Sequence, residues 1–416
     1  MKRIAIIGSG ISGLTAAYYL HKNYDICLYE ADSRLGGHTA TKNIHVEGKS
    51  YLIDTGFIVF NDWTYPNFIK LLTELGVESQ PTEMGFSVFS PEEKFEYAGT
   101  NLSTLFAQKR NLFSPGHWKM LRDIVRFNKE AIADLEANRL LPEETLGAYL
   151  QRKNYSHGFV NRYLIPMGSA IWSATQGAML AFPLEFFIKF FKNHGLLNVV
   201  NRPQWRVIKG GSQAYIEPLT NQFKDKIKLN SPVARIVRND TQVTIISNGV
   251  AEYFDEVILA CHSDQALAML GDASDDEKTV LGAIPYQKNS VVMHTDISLL
   301  PKRKATWSSW NYLLTKGNQT PPILTYSMNI LQSINSNVQF CVTLNAKNKI
   351  DPKKILGEYE YAHPVFSLAA SKAQAAWPLI NGVNRTWFCG AYWFNGFHED
   401  GVNSALRVIK ALEIKS

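Results

Sequence analysis

The first thirty residues limit what this chain can fold into more than any other stretch does. Lys2 to Ile7 is a short, isoleucine-rich apolar run, the pattern of a parallel strand buried on both faces. It passes directly into Gly8-Ser9-Gly10-Ile11-Ser12-Gly13, and Leu14 to Leu20 reads as a helix with small residues on its inner side. Asp25 to Tyr29 is a second strand, with Glu30 at its tip. In a dinucleotide site the three glycines do different work: one makes a tight turn, one lets a pyrophosphate approach the backbone, and one lets helix pack on sheet. The helix start offers free N–H groups and a positive dipole end to the phosphates. Glu30 is placed to hydrogen-bond a ribose hydroxyl, and its charge disfavours the 2′-phosphate of NADP. A plain glycine turn would leave the second strand and its terminal acid without a reason.

The rest of the composition removes whole classes. With 416 residues, two domains are the expectation. A 45% hydrophobic share is enough for a large core and argues against disorder. A net charge of +6 on so long a chain gives no concentrated basic face, so nucleic acid is not an expected partner. Cys27, Cys261, Cys341 and Cys389 lie far apart, with neither metal-ligand nor disulfide-framework spacing. No metal is expected, and reduced thiols suit a cytoplasmic protein. The apolar run after Met1-Lys2-Arg3 stops at Gly8, too short for a signal peptide. No stretch approaches a membrane span, so the chain reads as soluble, or at most peripheral to the inner face of a membrane.

Directly after Glu30 comes Ala31-Asp32-Ser33-Arg34-Leu35-Gly36-Gly37-His38-Thr39. A second glycine pair brings another loop close to the cofactor, and Arg34 can pair with a phosphate. Tyr51 to Phe57 is a strand ending in Asp54-Thr55-Gly56. Near the other end, Thr386-Trp387-Phe388-Cys389-Gly390 reads as a strand into a turn, followed by His398-Glu399-Asp400-Gly401-Val402 and a helix from about Val402 to Leu412. The order GxGxxG, acid, RxGG, DxG resembles the flavin-containing amine oxidase superfamily, which includes monoamine oxidases, protoporphyrinogen oxidase and phytoene desaturases. The resemblance implies FAD as cofactor. It places Gly8, Gly10, Ile11, Ser12, Gly13, Glu30, Ala31 and Arg34 along the adenosine and phosphates. Gly36, Gly37, His38, Thr39, Thr55, Gly56, Phe57 and Ile58 follow toward the flavin, and Gly390, Ala391, Asp400, Gly401 and Val402 approach it from the final helix. Val233 would meet the adenine end through its backbone.

The implied fold is α/β: a discontinuous Rossmann-like FAD domain with an inserted α+β substrate domain of mixed sheet and helices. Residues 1–75, 203–270 and 380–416 would form the former, and 76–202 and 271–379 the latter. Further stretches, among them Tyr163 to Ser173, Trp307 to Tyr312 and Phe388 to Trp393, resemble a bacterial branch of FAD-binding proteins often encoded beside cyclopropane-fatty-acid synthase-like methyltransferases. That association implies a redox step on an unsaturated or methylated acyl chain. Amine oxidases place a lysine on a substrate-domain strand near flavin N5; here the aligned position is aliphatic and Lys288 falls three residues early. Of their two amine-flanking aromatic positions, one aligns with His398 and the other falls near Tyr361 or His363.

In the substrate domain, Ser114-Pro115 starts a long helix as N-cap and first position. Trp118, Leu121, Val125, Ile132 and Leu135 recur at helical spacing and should face the core. In Met179 to Leu197, Leu184, Phe187, Ile188 and Phe191 make an apolar face, flanked by Phe186 and Phe190. The helix reads as core, or as the wall of a lipophilic cavity or a membrane-surface lip. His398, His363 and Tyr392 are the candidate catalytic groups, with His294 behind them. Each histidine also reads as a space-filling, hydrogen-bonded ring. The leading expectation is oxidation or desaturation of a lipophilic substrate by hydride transfer to flavin N5. The alternatives are an amine oxidase, and a non-enzymatic scaffold resembling the GDP-dissociation inhibitors.

Overall fold

The computed structural model describes residues 1–315 and 320–415. Five parallel strands build its first sheet in the order Ile227–Lys228, Asp25–Tyr29, Arg3–Ile7, Glu256–Leu259, Thr386–Phe388. The opening strand is central: Ile4 to Ile7 face Ile26 to Tyr29 on one side and Glu256 to Leu259 on the other. All four of these apolar residues are buried, which explains an uninterrupted isoleucine run where a half-exposed strand would alternate. One layer thus draws its strands from three separated stretches of chain.

Around this sheet lies the largest core, which joins helix Ile11–Leu20, the carboxyl-terminal helix His398–Lys415, and helix Pro66–Glu74. The same core takes in Val280, Leu281, Ile284, Ala370, Ala373 and Trp377. Segments 275–284 and 370–380 therefore pack with the first sheet, outside the limits expected at 270 and 380. Likewise Ser79–Pro81 pairs with Trp205–Ile208, across the expected edge at 75.

The second large sheet has seven strands in the order Ile355–Pro364, Tyr286–His294, Cys341–Leu344, Ile323–Ser327, Trp310–Leu313, Phe86–Ser90, Phe95–Ala98. One face meets a helical layer, including Pro115–Glu136, Ile165–Trp172 and Leu184–Asn193, and the hairpin Thr41–Val46/Lys49–Asp54. Ser114 caps the long helix as expected, accepting from the His117 N–H at 3.3 Å. Of the five residues expected to face the core, Leu121, Ile132 and Leu135 pack against it, but the most buried positions are others. His117, Met120, Asp123, Phe127, Ala131 and Asp134 point inward, while Trp118 and Val125 are exposed. Neighbours bond two of the polar groups on the inward stripe: Asp134 takes the Tyr149 hydroxyl at 2.9 Å, and Asp123 takes the Ser156 N–H at 3.0 Å. Hydrophobicity alone misses such polar positions.

Helix Leu184–Asn193 is interior on two sides. Leu184, Phe187, Ile188, Phe190 and Phe191 are buried, with Phe187 stacked on Phe191 at 4.0 Å and Phe190 on Phe397 at 5.0 Å. It presents no exposed phenylalanine fringe, so the core reading holds and the membrane lip does not. Among the described residues no helix is long and apolar enough to cross a membrane, and no cluster of His, Cys, Asp or Glu has metal-site geometry.

Candidate flavin site and the chamber beside it

Ligands of open α/β sheets bind at the carboxyl ends of the strands, and the predicted cofactor segments meet at that edge. Gly36 N–H donates to the Ser9 carbonyl at 3.0 Å, and Phe57 N–H to the His38 carbonyl at 2.8 Å. The glycines are demanded by these approaches. A Cβ on Gly13 would lie 1.9 Å from the Gly8 carbonyl, and one on Gly56 would lie 2.1 Å from the His38 carbonyl. Gly401 brings the last helix against the first, since a Cβ there would lie 2.6 Å from the Ile11 side chain. Two helix N-termini therefore converge on one place. The first helix has Gly10 as its N-cap and no side chain capping it, which leaves its dipole end for an anion.

Acids and loops hold this arrangement. Glu399 reaches from the last helix to the start of helix Pro66–Glu74, accepting from the N–H groups of Asn67 at 3.1 Å and Phe68 at 2.8 Å. Asp54 ties the hairpin to Ser212 (N–H, 2.9 Å), Thr41 (2.6 Å) and Gln332 (3.2 Å), and burial pushes its carboxyl up to about 6. Asp400 turns to its own turn, accepting from Phe397 N–H at 2.9 Å, and burial pushes it up to about 7. That local cap starts the helix at His398, four residues before the expected Val402.

Several predicted cofactor side chains also make bonds within the protein. Glu30 accepts from the Ser9 N–H at 3.0 Å and the Asp32 N–H at 2.8 Å, so it braces the glycine turn. Arg34 does not extend as a free phosphate ligand. It clamps its own loop, donating to the carbonyls of Thr39 at 2.9 Å and Gly37 at 2.8 Å. Ala31 is exposed and Val233 half-buried at the start of the strand Val233–Arg238, while Ser231 N–H donates to the Glu30 carbonyl at 2.8 Å. Ile58 and Val402 are core residues.

His398 was expected beside the flavin as an acid or base. Its ring is instead stacked on Phe57 at 3.5 Å, edge-on to Phe68, with Nε2 3.0 Å from the Thr39 hydroxyl. Burial pushes it down to about 3, so it is a neutral packing and hydrogen-bonding group. Its neighbour Phe397 points toward the substrate-side helix. His294 lies on the outer face of the seven-stranded sheet, bonded to Thr343 at 2.7 Å, remote from these loops. Tyr392 is buried in the first core, and its ring packs over Gly390, where any Cβ would lie 2.3 Å from it. Cys389 is buried and its thiol pushed up by burial, which makes it a poor nucleophile for flavin attachment.

His363 does stand at the site, beside the expected His38 and Tyr361, and with them comes His262, which the sequence did not single out. His38 lies between His363 (centroids 5.5 Å), Tyr361 (5.2 Å) and His262 (5.9 Å), and His262 stacks on Tyr286 at 4.1 Å. The Tyr361 hydroxyl is 2.9 Å from that of Thr55, joining the substrate sheet to the cofactor loop. Burial first, then the neighbouring imidazoles, holds His38 well below its usual range and His363 at about 4. The cluster is therefore neutral at pH 7. His262 follows the buried strand Glu256–Leu259 at its carboxyl edge.

A chain of amides fixes which nitrogen of His363 carries the proton. The backbone N–H of Ser290 donates to Oδ1 of Asn345 at 3.2 Å. The Asn345 Nδ2 then donates to the Pro322 carbonyl at 3.1 Å and to Oδ1 of Asn289 at 3.0 Å. Asn289 is left with Nδ2, which reaches the Gln287 carbonyl and His363 Nδ1, each at 3.2 Å. An amide N–H facing Nδ1 requires a bare nitrogen there, so the neutral ring holds its proton on Nε2.

The inward positions of the strand Tyr286–His294 are Gln287, Asn289, Val291 and Met293, opposite His363, Tyr361, Tyr359 and Gly357. Lys288 is turned outward into an ion pair with Glu360 at 2.9 Å. Trp310 and Tyr326 border both the helical-layer core and the hairpin core, and remain only half-buried between them. Tyr163 and Phe397 are likewise half-buried aromatic rings against the helical-layer core.

The residues fit a flavin dinucleotide. Nε2 of His38, Oη of Tyr392 and Nε1 of Trp393 are buried without a protein partner, on two segments assigned to the cofactor. Buried polar atoms normally have partners, and a polar ligand at this edge would meet that need. The family described as "Flavin containing amine oxidoreductase" matches residues 11–293. A "Probable flavin-containing monoamine oxidase A" of Dictyostelium discoideum is 28% identical over 271 residues, covering 62% of this chain and 56% of its own length. This chain thus spans little more than half of that relative. Among solved structures, cyclohexylamine oxidase from Brevibacterium oxydans IH-35A superposes with a TM-score of 0.69 at 16% identity, covering 99% of both chains. A CLA-producing fatty acid isomerase from P. acnes does so with a TM-score of 0.68 at 15% identity, over 99% of this chain and 98% of its own. At such identities they share the fold alone.

Proposed function

We propose that this chain, which belongs to the flavin containing amine oxidoreductase family, is an FAD-dependent oxidoreductase whose substrate is lipophilic, an acyl chain being the leading candidate. Bound flavin would supply the hydride acceptor at N5. The protein's own part is to bind, orient and keep water out. The two convergent helix N-termini and the loops at Gly8–Gly13 and Gly36–Gly37 would hold the dinucleotide phosphates. His38, Thr55 and the Gly390 turn would border the ring.

The observation that carries the substrate reading is the uncharged wall. On the strand where amine oxidases carry a lysine, the inward positions are Gln287, Asn289, Val291 and Met293. The half-buried aromatic rings and neutral imidazoles add no charge. A hydrocarbon chain gains about 25 cal/mol per Å² on entering such a space, while a charged group would be left unpaired there. The Nε2–H of His363 is the donor best placed to bond a neutral polar atom of the substrate or the cofactor.

The test is to purify the chain with FAD, reduce the headspace oxygen, and add cell lipid extracts or a panel of amines while watching flavin absorbance. Bleaching by lipids, with a mass change in one lipid, is the expected result. Bleaching by amines alone would sink the lipophilic reading and leave the amine-oxidase one. Absence of stoichiometric flavin after reconstitution would sink both.

A further inference from the structure

The helical layer carries its positive charge unevenly. Arg126, Arg139, Arg152, Arg162, Lys189 and Lys192 are each paired with a carboxylate. Lys109, Arg110, Lys119 and Arg122 have no ion pair among the described residues. Nor does the sequence offer them local partners, because no Asp or Glu occurs between Glu96 and Asp123. The acids bordering the stretch are already engaged or buried: Glu96 pairs with Arg303, Glu93 with Arg162, and Asp123 is buried beside Arg126.

The same stretch holds several exposed apolar side chains. Phe113 is 86% exposed, Leu102 74%, Trp118 50% and Leu112 45%. They belong together: the Trp118 indole N–H donates to the Leu112 carbonyl at 2.9 Å, and its ring meets Phe106 at 5.1 Å. With its one polar atom satisfied internally, Trp118 shows carbon to the outside. Exposed apolar groups that cluster mark an interaction surface, whereas scattered ones do not.

We propose that the surface formed by residues 102–122 docks on an anionic lipid bilayer. Leu112, Phe113 and Trp118 enter the boundary between headgroups and acyl chains, and Lys109, Arg110, Lys119 and Arg122 lie over the headgroup phosphates. One feature selects a bilayer over an acidic protein. Along the chain the cations without ion pairs flank the apolar side chains, Lys109 and Arg110 before Leu112 and Phe113 and Lys119 and Arg122 after Trp118, with Arg110 also donating to the Lys94 carbonyl; peripheral anchors combine apolar insertion with attraction to anionic lipid in this way. The inference does not depend on the identity of the substrate.

The test is sedimentation of the full-length, FAD-loaded protein with vesicles of phosphatidylcholine alone or mixed with phosphatidylglycerol, at low and high salt. The expected result is pelleting with the mixed vesicles only, weakened by salt. The pair Leu112→Ser and Phe113→Ser should lower the partition coefficient by about tenfold or more. Lys119→Gln and Arg122→Gln should lower it about fivefold each, with flavin content and thermal melting unchanged. Equal pelleting with both vesicle types, no pelleting at low salt, or charge variants that partition like the parent would each overturn the proposal. Capture by polyglutamate without capture by vesicles would overturn it in favour of an acidic protein partner.

Discussion

Replacing Asn289 with Asp tests the proton assignment at His363 directly. The amide N–H that faces Nδ1 at 3.2 Å becomes a carboxylate oxygen, while the donor from Asn345 to the other oxygen is retained. An acceptor now faces Nδ1, so the proton of the neutral ring must move from Nε2 to Nδ1. The carboxylate also favours the imidazolium. Two unit charges about 4 Å apart at an effective dielectric of about 20 attract by about 4 kcal/mol, or about three pKa units at about 1.36 kcal/mol each. Desolvation of a buried carboxylate cancels about one unit. The His363 midpoint should therefore rise from about 4 to about 6. The Gln287 carbonyl loses its donor as well, which costs about 1–3 kcal/mol of stability. Nitrogen NMR of protein labelled with 15N-histidine reads both effects, since protonated and bare ring nitrogens resonate far apart. The parent should show Nε2–H from pH 8 down to about pH 5, and Asn289→Asp should show Nδ1–H with the raised midpoint. A parent spectrum with Nδ1 protonated, or a variant that titrates like the parent, would refute the amide chain as the cause. Neither result depends on turnover, so the flavin reading stands or falls separately.

Three further outcomes follow from the geometry. Gly56→Ala puts a methyl 2.1 Å from the His38 carbonyl; the purified variant should show flavin absorbance well below one equivalent, and full occupancy would contradict the close approach. Glu277→Leu removes two bonds of the buried Arg238 guanidinium, at 2.5 and 2.9 Å, and leaves it the Asp272 carboxylate at 2.9 Å; denaturant unfolding should show a loss of about 1–3 kcal/mol. Asp400 has its folded pKa raised to about 7 by burial, so its protonated form favours the fold, and that contribution is lost as pH rises from about 4 through about 7. Asp400→Asn should accordingly melt higher than the parent at pH 8.5 and match it near pH 4, as followed by thermal denaturation; a difference that grows toward low pH would refute the sign.

What the sequence could show depended on whether a residue's partners were local. The glycine motif, its strands and the acid at Glu30 are neighbours in sequence and in space, and the strand Glu256–Leu259 was recognisable as a continuous apolar run. Roles set by distant partners were hidden. His398 owes its burial to Phe57, Thr39 and Tyr215, so proximity to a motif suggested chemistry where there is packing. Arg34 matched a phosphate ligand by type, but two carbonyls of its own loop take its guanidinium. The long helix was found, capped and started correctly, yet its inward face carries Asp123 and Asp134, which a hydrophobic criterion assigns to solvent. Asn289 offered no motif at all. The available sign was an asparagine and a glutamine alternating with outward Lys288 on an otherwise apolar strand, a pattern that gains meaning only when His363 is known to lie opposite.

The central strand Arg3–Ile7 also sets an order of events during synthesis. It pairs on one side with Asp25–Tyr29 almost at once, but its other neighbour is Glu256–Leu259. At about 5–20 residues per second, the ribosome needs on the order of 12–50 s to deliver that partner. Throughout the interval one edge of a strand that is apolar from Ile4 to Ile7 lacks its partner. Such an edge can recruit other chains, so yield should depend on chaperone supply more than on the final stability of the fold, and slowing translation before residue 256 should reduce soluble protein without changing the melting temperature of what is recovered.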